Sequence, residues 1–196
     1  MLMPNEVAES VWRAAQGRLR PLADTALPPR EDLDVADAIE RHNRRARQEL
    51  KAAIKSLDPT EFELFVVRVL ETLGYIVEHQ GRTNDGGVDA EAVLSLEGLT
   101  SVTTKVQAKR WGHNIPGKVI RELRGALHVD EHGLIVTTAE FTEEAIRKAE
   151  AEGKTRIGLL GGERLADLCV REGIGVERRQ VMLLETSPER LVAEDR

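Results

Sequence analysis

Apolar residues recur along this chain with two different spacings, and the change from one spacing to the other predicts an α/β fold. Between residues 32 and 57 they return every three or four positions with no glycine or proline, which predicts one long helix. A second helix is predicted over 61–73, with Thr60 as its N-cap and Gly74 at its end. Beyond it the pattern predicts strands at 75–78, 88–94, 102–109, 133–138 and 156–160, and helices at 116–128, 142–152 and 162–170. This order implies helices flanking a central mixed sheet.

Breaks in the pattern predict three parts: a helical N-terminal extension at 1–57, a domain at 58–175 and a C-terminal tail at 176–196. Within the extension, residues 1–20 read as a short helix, and the prolines that follow make 21–30 a loop.

The long helix 32–57 has two interpretations. Its seam is spaced as a heptad repeat and contains Ala36, Ile39, Asn43, Ala46, Leu50, Ala53 and Leu57. A polar Asn43 in such a seam is typical of paired helices, so two chains can form a homodimer through this helix. An amphipathic helix lying on the domain fits the short, alanine-rich seam better. Its outer face is basic, with Arg41, Arg44, Arg45, Arg47, Lys51 and Lys55, and this face is either solvated or lies along phosphates.

Composition excludes several classes of protein. Aromatic residues make up 3% of the chain, which argues against a stacking platform for single-stranded nucleic acid. The single cysteine, Cys169, excludes an internal disulfide framework. No apolar run is long enough to cross a bilayer and the acidic start lacks a signal-peptide pattern, so we expect a cytoplasmic protein without a membrane partner. A net charge of −6 excludes a polycation that coats DNA.

Strand periodicity brings candidate chemistry together. In 88–94, Val88, Ala90, Ala92 and Leu94 share an apolar face, while Asp89 and Glu91 point the other way. In 102–109 the polar face holds Lys105, Gln107 and Lys109. Neighbouring strands would place Asp89 beside Gln107 and Lys109, which suits a hard cation such as magnesium and a water that attacks a substrate. The same residues also fit a plain cross-strand charge pair on a solvated face.

Five segments in the right order resemble the Mrr-like branch of the PD-(D/E)xK nucleases, which have the restriction-endonuclease fold. They are DPTEFELFVVRVLETLGYIVE, DGGVDA, VQAKRW, IRELRGAL and GLIVTTAEFTEEA, all within residues 58–170. This branch has glutamine in its third motif where most relatives have an acid. The pairing of DGGVD with QAK is the most specific of these matches.

The resemblance implies a role for each matched residue. Asp89 would be the central metal ligand, Gln107 the variant ligand through its side-chain oxygen, and Lys109 the catalytic lysine. Glu63 would be the helix acid that completes the site, although it also reads as an exposed glutamate, with Glu61 as the alternative acid. The cofactor would be Mg²⁺, for which Mn²⁺ can substitute.

A basic surface accompanies the expected site. Between residues 105 and 124 the chain has a single acid, Glu122, and the cations Lys105, Lys109, Arg110, Lys118, Arg121 and Arg124. Cations beside a metal site suit phosphate contacts on DNA, although a solvated helix face explains Arg121 and Arg124 equally well. Trp111 either touches DNA or packs against the sheet edge.

The resulting prediction is a metal-dependent DNA endonuclease acting in restriction or phage defence. Two alternatives remain. In the first, the chain is a DNA-binding module that does not cut DNA. The reason to consider it is Gln107, whose amide supplies no charge to hold a metal. Alternatively, it is a nuclease subunit that a sensor or regulatory protein controls.

Overall fold

The computed structural model of the chain describes residues 32–79 and 87–182. The short helix expected at 1–20, the loop at 21–30 and the end of the tail, from 183 on, lie outside these residues. The strands are β1 (Ile76–His79), β2 (Ala90–Leu96), β3 (Thr100–Lys109), β4 (Glu131–Thr137) and β5 (Ile157–Leu160). The helices are α1 (Asp32–Ser56), α2 (Pro59–Thr72), α3 (Gly117–Gly125), α4 (Glu143–Ala149) and α5 (Gly162–Glu172). The predicted order of elements is confirmed.

The five strands form one mixed sheet in chain order. β1, β2 and β3 are antiparallel neighbours, whereas β3, β4 and β5 run parallel and are joined by α3 and α4. Because β2 runs against β3, the start of β2 lies at the edge where β3, β4 and β5 end. We call this edge the carboxyl edge of the sheet.

Each face of the sheet has its own core. One core contains Ala92, Val106 and Val136 of the sheet and is covered by α1, α2 and α5, which contribute Leu50, Phe62 and Leu165 among others. The other core contains Ile135 and Ile157 and is covered by α3 and α4, with Ile120, Leu123 and Ala145. Adjacent residues Ile135 and Val136 point to opposite cores, as strand alternation requires. The predicted sandwich of helices around a mixed sheet is confirmed.

Helix α2 begins earlier than predicted, and its N-cap is Asp58 rather than Thr60. The Asp58 carboxylate accepts a hydrogen bond from the backbone N–H of Glu61 at 2.8 Å, and the Glu61 carboxylate accepts one from the backbone N–H of Asp58 at 2.8 Å. Pro59 fits the first helical position because no intrahelical hydrogen bond is needed there. This reciprocal capping box leaves Thr60 inside the helix.

Strand β2 begins later than predicted, which changes the partner of one side chain. Val88 packs with the core under α3 and α4, whereas Ala90 packs with the opposite core. The expectation that both share a face is therefore wrong. Two-residue alternation holds only within a strand, and Val88 precedes the first residue of β2.

Contacts divide the chain into two compact units, Met1–His42 and Asn43–Arg196. In the second unit, Leu50 and Ile54 of α1 are buried in the core with α2 and α5. This half of α1 is thus an amphipathic helix lying on the domain. The predicted division at residue 58 and the pairing of two chains stay predictions. Among the helices that the structure describes, none combines the length and the apolar character needed to cross a membrane.

Candidate active site

Asp89 lies at the carboxyl edge, immediately before β2. Its backbone N–H donates to the carbonyl of Val106 at 2.9 Å, and its Oδ2 accepts a hydrogen bond from the backbone N–H of Ala108 at 2.8 Å. The carboxylate thus takes the place of a main-chain acceptor along β3. Two bonds to one strand fix both the backbone and the side chain of Asp89, so the carboxylate is oriented before any ligand binds.

Gln107 is buried, with 3% of its surface exposed. Its Nε2 donates to the carbonyl of Gly87 at 2.6 Å. Its Oε1 is buried and has no hydrogen-bond partner in the part of the chain that the structure describes. The opposite amide orientation would bring two carbonyl-type oxygens to 2.6 Å, so the bond to Gly87 identifies the unpartnered atom as the acceptor.

An unpartnered buried acceptor is costly, about 1 to 3 kcal/mol. Native proteins therefore satisfy nearly all such groups, and an exception calls for a specific explanation. An amide oxygen near the carboxyl edge of the sheet, on the residue before the one that binds the Asp89 carboxylate, suits a cation ligand. The Gln107 oxygen therefore fits the ligand role expected of it, which stays a prediction.

The side chains of Gln107 and Lys109 both lie close to Gly87. Its φ is +78°, and a β-carbon at this position would lie 2.5 Å from Gln107 Nε2 and 3.9 Å from Lys109 Nζ. Only glycine tolerates both the left-handed backbone and this close approach. The last glycine of the DGGVD motif thus allows the amide and the ammonium group to lie beside the same main-chain segment.

Lys109 is the last residue of β3 and is half-buried. Its ammonium group forms no ion pair or hydrogen bond with any residue in the described ranges. A half-buried cation without a protein partner is available for an anionic ligand such as a phosphoryl oxygen.

Sequence reasoning missed two threonines that position the end of β3. Thr137 is fully buried, and its Oγ1 donates to the carbonyl of Lys109 at 2.6 Å and accepts from the N–H of Ala139 at 3.1 Å. Thr138 Oγ1 donates to the carbonyl of Trp111 at 3.2 Å. Their position could have been noticed in the sequence, because Thr137 and Thr138 are a polar pair directly after the apolar run Leu134–Val136.

The two candidate helix acids differ in their surroundings. Glu61 belongs to the capping box of α2, and its carboxylate accepts a hydrogen bond from the backbone N–H of Asp58 at the start of the helix. Glu63 is half-buried on α2, which packs against β1 and β3. Its role at the site stays a prediction.

Lys105 does not suit the DNA contact expected of it. Its ammonium group lies 2.5 Å from a carboxylate oxygen of Glu91 and 3.6 Å from one of Glu131, and its side chain is 15% exposed. The hydrogen bond to Glu91 raises the pKa of Lys105 despite the opposing effect of burial. Two carboxylates already neutralise this charge, so Lys105 stabilises the sheet instead.

Arg124 is also committed to the fold. Its guanidinium donates to the carbonyls of Lys148, Ala149 and Thr155, at 2.6, 3.2 and 3.0 Å. Two of these carbonyls lie at the C-terminal end of α4, where a cation is favourable. We therefore do not retain Arg124 as a DNA contact.

The remaining expected contacts are more accessible. Lys118 and Arg121 lie on α3 with 72% and 57% of their side chains exposed, near Glu122 and Glu144 at 3.4 and 3.9 Å. Arg110 is exposed just beyond Lys109. Trp111 is half-buried against the core under α3 and α4 and stacks on His113, with 4.9 Å between ring centroids. Packing of Trp111 against the sheet, one of the two expectations for it, is observed.

The donor set available to a cation is small. Within residues 32–79 and 87–182, no three His, Cys, Asp or Glu side chains are arranged to hold a metal ion. Asp89 and the Gln107 oxygen would supply one charged and one neutral ligand. Magnesium is compatible with so few protein ligands because it keeps several of its waters.

A five-stranded mixed sheet with helices on both faces is a restriction-endonuclease-like fold. Comparison of sequences agrees: a family model for Mrr-type catalytic domains, described as restriction endonuclease, matches residues 54–169. The chain belongs to this family, which confirms the resemblance found in its motifs.

Individual relatives extend this result. The chain is 33% identical over 177 residues, 82% of its length, to the type IV methyl-directed restriction enzyme EcoKMrr of Escherichia coli K12, of which it spans 56%. It is 36% identical over 126 residues, 57% of its length, to the uncharacterised protein y4cE of Sinorhizobium fredii, of which it spans 32%. The chain thus spans about half, or less, of the curated relatives that it matches.

Among solved structures, the fold is similar to that of AspBHI, a DNA modification-dependent restriction endonuclease. The TM-score is 0.57 at 20% sequence identity, over 67% of this chain and 36% of that one. At this identity the likeness concerns the fold alone.

Proposed function

We propose that this chain is a metal-dependent DNA endonuclease that hydrolyses phosphodiester bonds in restriction or phage defence. The observation that carries the proposal is the buried Oε1 of Gln107, which has no partner among the residues that the structure describes. Gln107 lies on β3 next to Ala108, the donor to the Asp89 carboxylate, and two residues before Lys109. Membership of the restriction endonuclease family supports the reaction class. The name of EcoKMrr supports a role in restriction.

Asp89 and Gln107 would hold the cation, Mg²⁺ or in its place Mn²⁺. Both offer oxygen, which these hard ions prefer, and the amide oxygen needs such a partner in the buried state. When bound, a divalent cation would polarise a phosphoryl oxygen and lower the pKa of a coordinated water. With only one carboxylate among the ligands, metal affinity should be modest.

The chain's own residues would perform three tasks. The bond from Ala108 to Oδ2 holds the Asp89 carboxylate in one orientation. The bond to Gly87 aims the Gln107 oxygen away from that glycine. Lys109, held at the end of β3 by Thr137, would donate to the phosphoryl oxygens as their charge increases in the transition state. Glu63 would assist from α2.

DNA is the proposed substrate. Arg110, Lys118 and Arg121 would contact backbone phosphates, since each is an exposed cation close in sequence to Lys109. Such contacts provide affinity without reading sequence.

Cleavage of plasmid DNA in Mg²⁺ or Mn²⁺ tests the proposal. Asp89→Asn should abolish cutting and stay folded, because its amide oxygen can still accept from Ala108. Asp130→Asn is the matched control: Asp130 has φ +69° in an exposed turn, a conformation that asparagine adopts readily. Equal cutting by wild type and Asp89→Asn would refute the site.

One observation favours a second candidate, a DNA-binding module without activity, because the neutral amide of Gln107 adds no charge to the metal site. Tight binding of duplex DNA by the wild-type protein, with no cutting at any metal concentration, would identify this function. Cutting that appears only with an added regulatory protein would identify a controlled subunit instead.

A further inference from the structure

A cleft of about 250 Å³ opens at the carboxyl edge, between the last turns of α1 and the loop that follows β3. Lys51 and Lys55 line it from α1, Arg110, Trp111 and Asn114 from the loop, and Glu140 from the loop after β4. None of these residues belongs to the proposed metal site. Arg110 and Trp111 directly follow Lys109, the last residue of β3, so the cleft opens next to the end of that strand.

Some of the charged groups in the cleft have partners within the protein. Lys51 pairs with Glu163, and the Glu140 carboxylate accepts a hydrogen bond from the backbone N–H of Glu163 at 3.0 Å, at the start of α5. Lys55 and Arg110 form no ion pair with any residue that the structure describes. Three cations, Lys51, Lys55 and Arg110, outnumber the one carboxylate that lines the cleft, Glu140, so the lining is positive and suits an anion.

Arg110 is held in position by the backbone. One guanidinium nitrogen donates to the carbonyl of Lys55 at 3.3 Å, one of the α1 carbonyls that lack an intrahelical partner. Most of its five N–H donors remain available. The loop itself is tied down, because the N–H of Trp111 donates to the carbonyl of Lys109 at 3.0 Å and its carbonyl accepts from Thr138.

The size and place of the cleft indicate one kind of ligand. Its volume lies below the roughly 300–1,000 Å³ typical of small-molecule pockets, so a phosphodiester group fits it better than a whole nucleotide cofactor. Arg110 directly follows Lys109, so a phosphate held in the cleft would lie close to the phosphate that Lys109 contacts.

We propose that Lys55 and Arg110 together clamp one backbone phosphate of the DNA, one or two nucleotides from the phosphate that is cut. The inference rests on the proposed function and adds to it a fixed point that sets where the strand enters the site. Asn114 supplies a neutral donor to the same group.

Binding of a labelled DNA duplex, measured by fluorescence anisotropy against salt concentration in EDTA, tests the clamp. Loss of one phosphate contact lowers the log–log salt slope by about 0.9. If both cations hold the same phosphate, Lys55→Gln combined with Arg110→Gln should lower the slope by about 0.9, whereas two separate phosphates would give about 1.8. The matched control is Arg147→Gln combined with Lys154→Gln, two exposed cations on α4 and the loop before β5, which should leave the slope unchanged.

Trp111 provides a second readout. In a Trp12→Phe background it is the sole tryptophan, and its emission should change on adding duplex but not on adding millimolar inorganic phosphate. The double variant should abolish this change. A slope that stays the same or falls by about 1.8, or a Trp111 response that inorganic phosphate saturates, would overturn the clamp. If plasmid cleavage still depends on Asp89 in that case, the proposed function stands and only the clamp is wrong.

Discussion

Replacing Gln107 with methionine should separate the stability of this protein from its activity. Methionine has a similar length and volume but no acceptor, so the variant removes the unpartnered Oε1 and the bond from Nε2 to Gly87. Relief of the buried acceptor is worth about 1–3 kcal/mol, and loss of a neutral hydrogen bond costs about 0.5–1.5 kcal/mol. Gly87 is half-buried, so water can replace the lost donor. We expect Gln107→Met to be more stable than wild type by about 1 kcal/mol without metal, and inactive.

Urea unfolding in EDTA, followed by circular dichroism, measures this difference. For m-values of about 1–3 kcal/mol/M, a gain of 1 kcal/mol moves the midpoint up by about 0.3–1 M. Repeating the titration in excess Mg²⁺ or Mn²⁺ should stabilise wild type, because the ion binds only the folded state, and should leave the methionine variant unchanged.

Thr137→Val is the matched control, since it also replaces a buried polar side chain with an apolar one. Its hydroxyl is satisfied on both sides, by Lys109 and Ala139, so this variant should lose stability, by about 1–3 kcal/mol. A Gln107→Met protein that is less stable than wild type, or that still cuts DNA, would refute the reasoning about Oε1.

Three further predictions follow from the same region. Lys109→Ala should reduce cleavage at least about a hundredfold while thermal stability is retained, with Lys154→Ala, at an exposed lysine in the loop before β5, as the control in both assays. Gly87→Ala should lower the free energy of unfolding by at least about 1–2 kcal/mol in urea titrations and displace the Gln107 amide, because alanine disfavours the positive φ. Because the pKa of Lys105 is raised in the folded protein, its ion pair with Glu91 stabilises the fold fully below pH 10.5, the ordinary pKa of lysine, and this contribution is lost as the pH rises through the folded pKa. Lys105→Met should remove this alkaline loss of stability, measured by unfolding from pH 8 upward. An unchanged pH dependence in the variant would contradict the assignment.

Gln107→Glu, the substitution that restores an acid, illustrates how the structure changes an expectation. From the ligand chemistry alone, a carboxylate should tighten metal binding. The structure adds a cost, because one carboxylate oxygen would face the Gly87 carbonyl where Nε2 now donates at 2.6 Å. Among wild type, Gln107→Met and Gln107→Glu, the glutamate variant should therefore be the least stable without metal and should gain the most stability when metal is added.

The order of elements, and the edge of the sheet where the candidate site is expected, could be predicted from the amino-acid sequence. Helical and strand periodicities are local, and each segment repeats its spacing often enough to be recognised. Alternation along β3 placed Gln107 and Lys109 on one face, and the DGGVD turn placed Asp89 at the start of the neighbouring strand. The family motifs lie in these segments, so they were also visible without the tertiary structure.

The hydrogen-bond and ion-pair partners of these side chains could not be predicted in the same way. The separation of Val88 from Ala90, the neutralisation of Lys105 by Glu91 and Glu131, and the use of Arg124 to cap α4 depend on segments distant in sequence. The same holds for the cleft that Lys55 and Arg110 line, and for the buried oxygen of Gln107, which has no partner among the described residues. A spacing along the chain fixes the direction of a side chain, whereas its charge balance and hydrogen bonds depend on which other elements pack around it.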